Sequence, residues 1–190
     1  EDSAQALRVA VSKPDQIPYN WVTCSEAQCL AQCMSPNNST HTSSLLFGIQ
    51  WDLTCKFLEV NTDLEIADIN SNSSSWGNYS DNANVILDRG KYNPSIEVSG
   101  TWTDCTTPTT ITKNLITTGT YTNANKMNIY DFAGNVNEWT LEHATTDSTR
   151  PCASRGGSFD NTGSDYTASF RINGKTSSEK YSVGFRATLY

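Results

Sequence analysis

Apolar positions recur at helical spacing over the first sixty residues and then lose any regular period. Over residues 1–20 the helical pattern is weak (Ala4, Leu7, Val9, Val11), and Pro14 and Pro18 stop it. The stretch 25–34 (SEAQCLAQCM) predicts a first helix, with Ser25 as N-cap, Glu26 in the first turn and Ala27, Leu30 and Ala31 as its apolar stripe. Pro36 and the Asn/Ser/Thr run to Ser44 end it. A second helix is predicted from about Phe47 to Val60, with Ile49, Leu53, Phe57 and Leu58 on one side and Trp51 and Cys55 nearby. Both helices are expected to pack against a sheet. Residues 61–115 carry little periodicity: 70–84 reads as a polar loop punctuated by Trp76 and Tyr79, and 101–112 is Thr-rich around Pro108. From Asn128 onward short apolar runs alternate with Gly and Asn turns, which predicts short antiparallel strands. No internal repeat is visible.

Composition changes how the polar stretches are read. Hydrophobic residues are 36% of the 190 and charged residues only 17%. Five Trp, eight Tyr and six Phe are too many anchors for a disordered chain, so the polar stretches are long ordered loops. Loops of that length inside a compact domain carry function or are held by metal ions. The length suits one domain, residues 19–190, with residues 1–18 as an N-terminal extension or the end of a stalk. A net charge of −7 argues against nucleic acid and anionic membrane as partners. No apolar run approaches the roughly eighteen residues needed to span a bilayer. With no signal peptide and no initial Met, the chain reads as a trimmed or mature product.

Six cysteines (Cys24, Cys29, Cys33, Cys55, Cys105 and Cys152) fit an oxidising compartment with up to three disulfides, whose connectivity stays open. Cys29 and Cys33 share one helix face, either as buried thiols or as partners of Cys55 or beyond. Their spacing is not a zinc pattern, and His41 and His143 are the only histidines. Asn38, Asn72 and Asn78 begin glycosylation triplets of the kind that arise by composition in a chain this rich in Asn, Ser and Thr.

The distinctive chemistry lies near the C-terminus, in Asn128-Ile129-Tyr130-Asp131-Phe132-Ala133-Gly134-Asn135-Val136-Asn137-Glu138-Trp139, then Arg155-Gly156-Gly157-Ser158-Phe159, then Gly184-Phe185-Arg186. Gly134 and the Gly156-Gly157 pair permit left-handed or close-packed backbone. Trp139 and Phe185 are bulky anchors, while Arg155, Arg171 and Arg186 can make forked bonds to carbonyls or to acids such as Glu138. Arg155, Trp139 and Arg186 are therefore expected to hold the fold and touch no ligand. In this order and spacing the motifs resemble the formylglycine-generating enzyme (sulfatase-modifying factor) family, a branch of the C-type lectin fold. Asn20-Trp21-Val22 resembles the opening of that family's first helix. Leu45 to Asp52 resembles the opening of its second, with Gln50-Trp51 matching but the usual Arg and Pro absent.

The likeness runs from about residue 20 to the end. Within the family it is greatest to small bacterial and phage domains diversified by retroelements. The implied fold is α+β: a C-type lectin-like domain of the formylglycine-generating-enzyme type, two helices packed on short antiparallel strands with much irregular loop.

The Asp131-x-x-Gly134-x-Val136-x-Glu138 turn places two carboxylates around a glycine. Calcium takes six to eight oxygens from side chains and carbonyls. By the resemblance, Asp131 and Glu138 would supply carboxylates and Gly134 and Val136 carbonyls to a structural calcium ion. The bland alternative is a Glu138–Arg ion pair. Catalysis of the family's kind needs a cysteine pair after Arg-Gly-Gly, and residues 153–190 contain no cysteine. Two isolated histidines cannot build an iron facial triad. The chain is read as no enzyme.

Between the last two motifs aromatic, charged and small polar residues mix without periodicity. Ser158, Phe159, Asp160, Asn161, Asp165, Tyr166, Phe170, Ile172, Asn173, Lys175, Ser177 and Tyr181 resemble a paratope, in which aromatics give contact area and small polar groups adaptable hydrogen bonds. The resemblance makes residues 155–186 a variable region, with Asn137 opening onto the same surface. The expected function is non-catalytic binding of a protein or glycan on a cell or phage surface, by a chain displayed extracellularly, at a cell surface or on a virion. The rivals are a related metal oxidase with a different centre and a structural surface or pilus subunit.

Overall fold

The computed structural model describes residues 10–35, 40–94, 101–144 and 147–190. The first helix, α1 (Cys24–Gln32), is capped by Thr23 rather than by Ser25. Thr23 Oγ1 accepts from the Glu26 amide at 3.3 Å, and the Glu26 carboxylate accepts from the Thr23 amide at 2.9 Å. This reciprocal box satisfies two otherwise unpaired N–H groups. The helix buries only Ala27 and Ala31. Their small side chains let it lie close to strand β1 (Ser43–Leu45), where Gln28 Oε1 accepts from the Leu45 amide at 3.0 Å.

Helix α2 (Gly48–Asn61) is turned over relative to its sequence pattern. It buries Trp51, Cys55 and Leu58 and leaves Ile49, Leu53 and Phe57 65, 61 and 42% exposed. Apolar residues occur on nearly every side of this helix, so periodicity does not choose the face. Trp51 does: its ring stacks on Phe132 at 4.1 Å and its indole N–H donates to Ala168 O at 2.9 Å. Helix α3 (Ile66–Asn70) adds Ile69 to the same cluster, with Leu58, Trp76 and Tyr79.

The stretch 61–115 is less irregular than its sequence implies. It holds β2 (Ala83–Ile86), β3 (Lys91–Asn93), β4 (Thr103–Asp104), β5 (Thr109–Thr112) and β6 (Leu115–Ile116), paired as β2-β5 and β4-β3-β6. Strands of two to four residues are too short for alternation to mark them. After β7 (Asn125–Lys126) and β8 (Ile129–Tyr130) comes the main sheet, built from β9 (Asn137–His143), β10 (Cys152–Arg155), β11 (Arg171–Gly174) and β12 (Val183–Phe185) in the order β11-β10-β9-β12. The last strand, β13 (Ala187–Leu189), pairs with β1. Among the described residues every ladder is antiparallel except β12 on β9, which is parallel.

Among the described residues, apolar burial is divided among four clusters. One lies under α2. A second joins α1, β1 and the main sheet through Val22, Ala27, Leu45, Trp139 and Val183, and a third gathers Ile86, Ile111 and Ile116. The fourth holds Leu115, Val136 and Phe159. Of the N-terminal extension, Asp15 and Gln16 exchange backbone hydrogen bonds with Thr118 at 2.8 and 2.9 Å, while residues 1–9 and Asn38 lie outside the described residues. No described helix is long and apolar enough to cross a membrane.

Candidate functional site

The stretch between the last two motifs is anchored at both ends on one residue. Arg155 of β10 and Gly184 of β12 both stand opposite Glu138 of β9, one from each side. Arg155 is fully buried, ion-paired with Asp52 and lying 3.5 Å from Glu142, which also pairs with Arg171 at 2.5 Å. Glu142 occupies the space a Gly48 Cβ would need, 2.6 Å away, so β9 meets the start of α2 through a carboxylate at the positive end of the helix. Trp139 donates to Val22 O at 2.8 Å. These are the fold-holding roles the sequence implies.

The Asp131–Glu138 turn is organised around a guanidinium. Arg186 engages both oxygens of Glu138, the Nη2–Oε1 contact being 2.7 Å, and donates from Nη2 to the carbonyls of Tyr130 and Asp131 at 3.0 and 3.3 Å. Its guanidinium also lies 5.3 Å over the Phe132 ring. Asp131 Oδ2 accepts from the Gly119 amide at 2.8 Å, and its buried Oδ1 has no hydrogen-bond partner. Burial pushes the Asp131 carboxyl up to about 6 and also raises Glu138, against the pull of Arg186. Gly134 is left-handed (φ +72°), and a Cβ there would lie 2.2 Å from Asn78 O; Val136 points into the cluster of Leu115 and Phe159.

As placed, these residues do not fit calcium. Glu138 is committed through both oxygens to Arg186, which supplies a cation from the chain itself and also takes the carbonyls of Tyr130 and Asp131. Among the described residues no group of three or more His, Cys, Asp or Glu side chains is placed to hold a metal ion.

The candidate binding residues fall into separate groups. Ser158 and Phe159 are buried and present no surface to a ligand. The Ser158 hydroxyl lies 2.5 Å from Asp160 Oδ1 and 2.8 Å from Asn161 Oδ1, while Phe159 packs on Leu115, Val136 and Tyr181. Above them Asp160, Asn161 and Tyr181 are half-exposed, and the Tyr181 hydroxyl donates to Asp160 Oδ2 at 2.9 Å.

A second group pairs Tyr166 edge-on with Phe170 at 5.0 Å; Phe170 is 40% exposed, and exposed Asp165 accepts from the Thr162 hydroxyl at 2.8 Å. The Tyr166 backbone packs so closely over Gly157 that a Cβ there would lie 2.4 Å from its carbonyl. Ile172 and Asn173 are successive residues of edge strand β11, so their side chains take opposite faces and cannot meet one ligand together. Lys175 and Ser177 are exposed in the turn that follows.

Asn137 is buried: its amide and side chain both donate to Ser182 O, pinning β12 rather than opening outward. Sequence reasoning missed Trp21. It is half-exposed, sits 6.0 Å from the Tyr181 ring, and is held in a left-handed conformation (φ +55°) by its amide bond to Lys180 O. Only the positive φ marks it, and a tryptophan side chain gives no sequence signal for that.

The helices α1 to α3 and the short, mostly antiparallel strands carrying long ordered loops define a C-type lectin-like domain of the formylglycine-generating-enzyme type. The chain belongs to the sulfatase-modifying factor enzyme 1-like domain family, which it matches over residues 3–189. Its structure is similar to Treponema denticola variable protein 1 (TM-score 0.55, 15% identity, covering 90% of this chain and 69% of that one). It is also similar to the crystal structure of CarF (TM-score 0.52, 15% identity, 90% and 66%). The chain thus spans about two thirds of the length of each. No curated protein matches it in sequence.

Proposed function

We propose that this domain binds a ligand without catalysing a reaction, as the displayed variable protein of a diversity-generating retroelement. The observation that carries the reading is the Asp160–Tyr181–Trp21 cluster. A half-exposed carboxylate is held in place by the hydroxyl of a tyrosine whose ring lies beside an indole, on a stretch clamped at both ends to β9. Such a group is preorganised, so little side-chain freedom is lost on binding. Tyr166 and Phe170 add aromatic contact area at a second group.

The non-catalytic reading is supported by the lack of any cysteine in residues 153–190 and by a chain with only two histidines. The likeness to a variable protein supports diversification of residues 155–186. The partner would be a protein or glycan on another cell or phage surface, with the domain itself displayed outside a cell or on a virion.

The test is a screen of the purified chain against arrays of glycans and of bacterial surface proteins. Captured partners should be lost by Asp160→Ala with Tyr181→Ala, or by Tyr166→Ala with Phe170→Ala, and retained by Leu53→Ser on the exposed side of α2. Binding that survives both double substitutions rules out this face. An adenine-variable copy of the C-terminal coding stretch beside a reverse-transcriptase gene would establish the diversification.

A further inference from the structure

We propose that Cys24 and Cys152 form a disulfide that ties the start of α1 to the start of β10. Each is the first residue of its element. Cys24 Sγ lies 3.9 Å from the carbonyl oxygen of Thr140, and Thr140 stands in register with Ala153, the residue after Cys152. The β9–β10 ladder shifts register between Cys152 and Ala153, an irregularity of the kind that re-aims a side chain. Both cysteines are free thiols, half-buried in one cluster beside Val22, Ala27 and Trp139, and Cys152 acts on the Cys24 thiol at close range. The remaining cysteines have other surroundings. Cys29 is exposed on α1 and Cys33 just past its end, Cys55 lies with Trp51 and Leu58, and Cys105 with Ile86 and Ile111.

Burial pushes the Cys24 thiol up to about 12, with Cys152 adding to the rise, so Cys24 is a poor first nucleophile. The oxidant is a small disulfide of the glutathione class. The Cys152 thiolate attacks one of its sulfurs, breaking that S–S bond and releasing one glutathione thiolate. Cys24 then gives its proton to water, attacks the Cys152 sulfur of the mixed disulfide and releases the second glutathione. Two electrons pass from the protein thiols to the glutathione disulfide. The bond closes a chain segment of well over a hundred residues, the class of cross-link that restricts the unfolded chain most. It also fixes α1 against the strand that runs into Arg155-Gly156-Gly157, the base of the candidate face.

The chain equilibrated with oxidised glutathione is alkylated without reduction. It is then cut with trypsin and a glutamate-specific protease, which separates Cys24 from Cys29 after Glu26. The expected product is one pair of peptides joined through Cys24 and Cys152, lighter by two hydrogens than the free peptides. Reduction should then lower the thermal midpoint by about 10 °C in the wild type and leave Cys24→Ser/Cys152→Ser unchanged. Alkylation of both cysteines after oxidation, or a bond from Cys24 to Cys29 or Cys33, overturns the proposal. Where the double variant does not fold, the wild-type peptide map decides alone.

Discussion

Asp131 is a carboxylate that the fold accommodates poorly: it is buried, left-handed (φ +50°), and has one oxygen unpartnered. Its pKa of about 6 in the folded chain stands above the ordinary 3.8, so between these values the native state keeps a proton that the unfolded state gives up. Its contribution to stability is full below about pH 4 and is lost as the pH rises through about 6. Asp131→Asn removes that loss, keeps an oxygen for the Gly119 amide and suits the positive φ. The variant should be more stable by up to about 3 kcal/mol at pH 7 and match the wild type at pH 4. Urea titrations at both values measure this, and an equal difference at each would refute it.

Glu138 and Arg186 behave differently because each compensates the other. Arg186→Met leaves a buried, unpaired carboxylate and should cost about 3–5 kcal/mol. A chelator such as EGTA should leave the thermal midpoint of the wild type where it was. Gly134→Ala would place a methyl group against Asn78 O with the backbone left-handed, and should lose roughly 3–5 kcal/mol in the same urea assay.

At the scale of elements, the two helices show what sequence can and cannot decide. Both were legible in position, α1 from Glu26 in its first turn and Pro36 beyond its end, α2 from its repeating apolar residues. The face of α2 was not legible, since Ile49, Leu53 and Phe57 make as good a stripe as Trp51, Cys55 and Leu58. Only tertiary partners, Phe132 and Ala168 O, separate the two. The consequence is measurable: Leu53→Ser should change stability by no more than about 0.5 kcal/mol, whereas Trp51→Ala should cost about 3–5 kcal/mol in thermal or urea unfolding.

The strands β2 to β6 were invisible for a different reason, being shorter than the window in which alternation becomes a pattern. The C-terminal motifs were legible because glycines with enforced φ and buried arginines leave residue-type signatures. The binding groups were only partly so. Phe159 reads like Phe170 in sequence, and burial alone assigns one to the core and the other to the surface.

Across the described residues, burial in separate clusters means that the candidate face rests on one packing unit, through Phe159 and Tyr181, while its outermost residues belong to none. Phe159 ties the stretch to Leu115 and Val136, while Asp165, Phe170, Lys175 and Ser177 face solvent. Replacing those four exposed residues together should leave the thermal midpoint nearly unchanged, whereas Phe159→Ala alone should cost about 3–5 kcal/mol. Calorimetry on the two variants separates the outcomes, and a large loss in the first would mean that the exposed residues also stabilise the fold.

The shared register of Arg155 and Gly184 on Glu138 has a consequence for length as well as composition. Strands flanking β9 on either side hold the two ends of the stretch about 10 Å apart, whatever lies between them. Closing a flexible loop across a fixed gap becomes only about 0.6 kcal/mol harder each time its length doubles. Added residues at the tip would therefore weaken the domain little, so the stretch tolerates a change of size as well as a change of side chains.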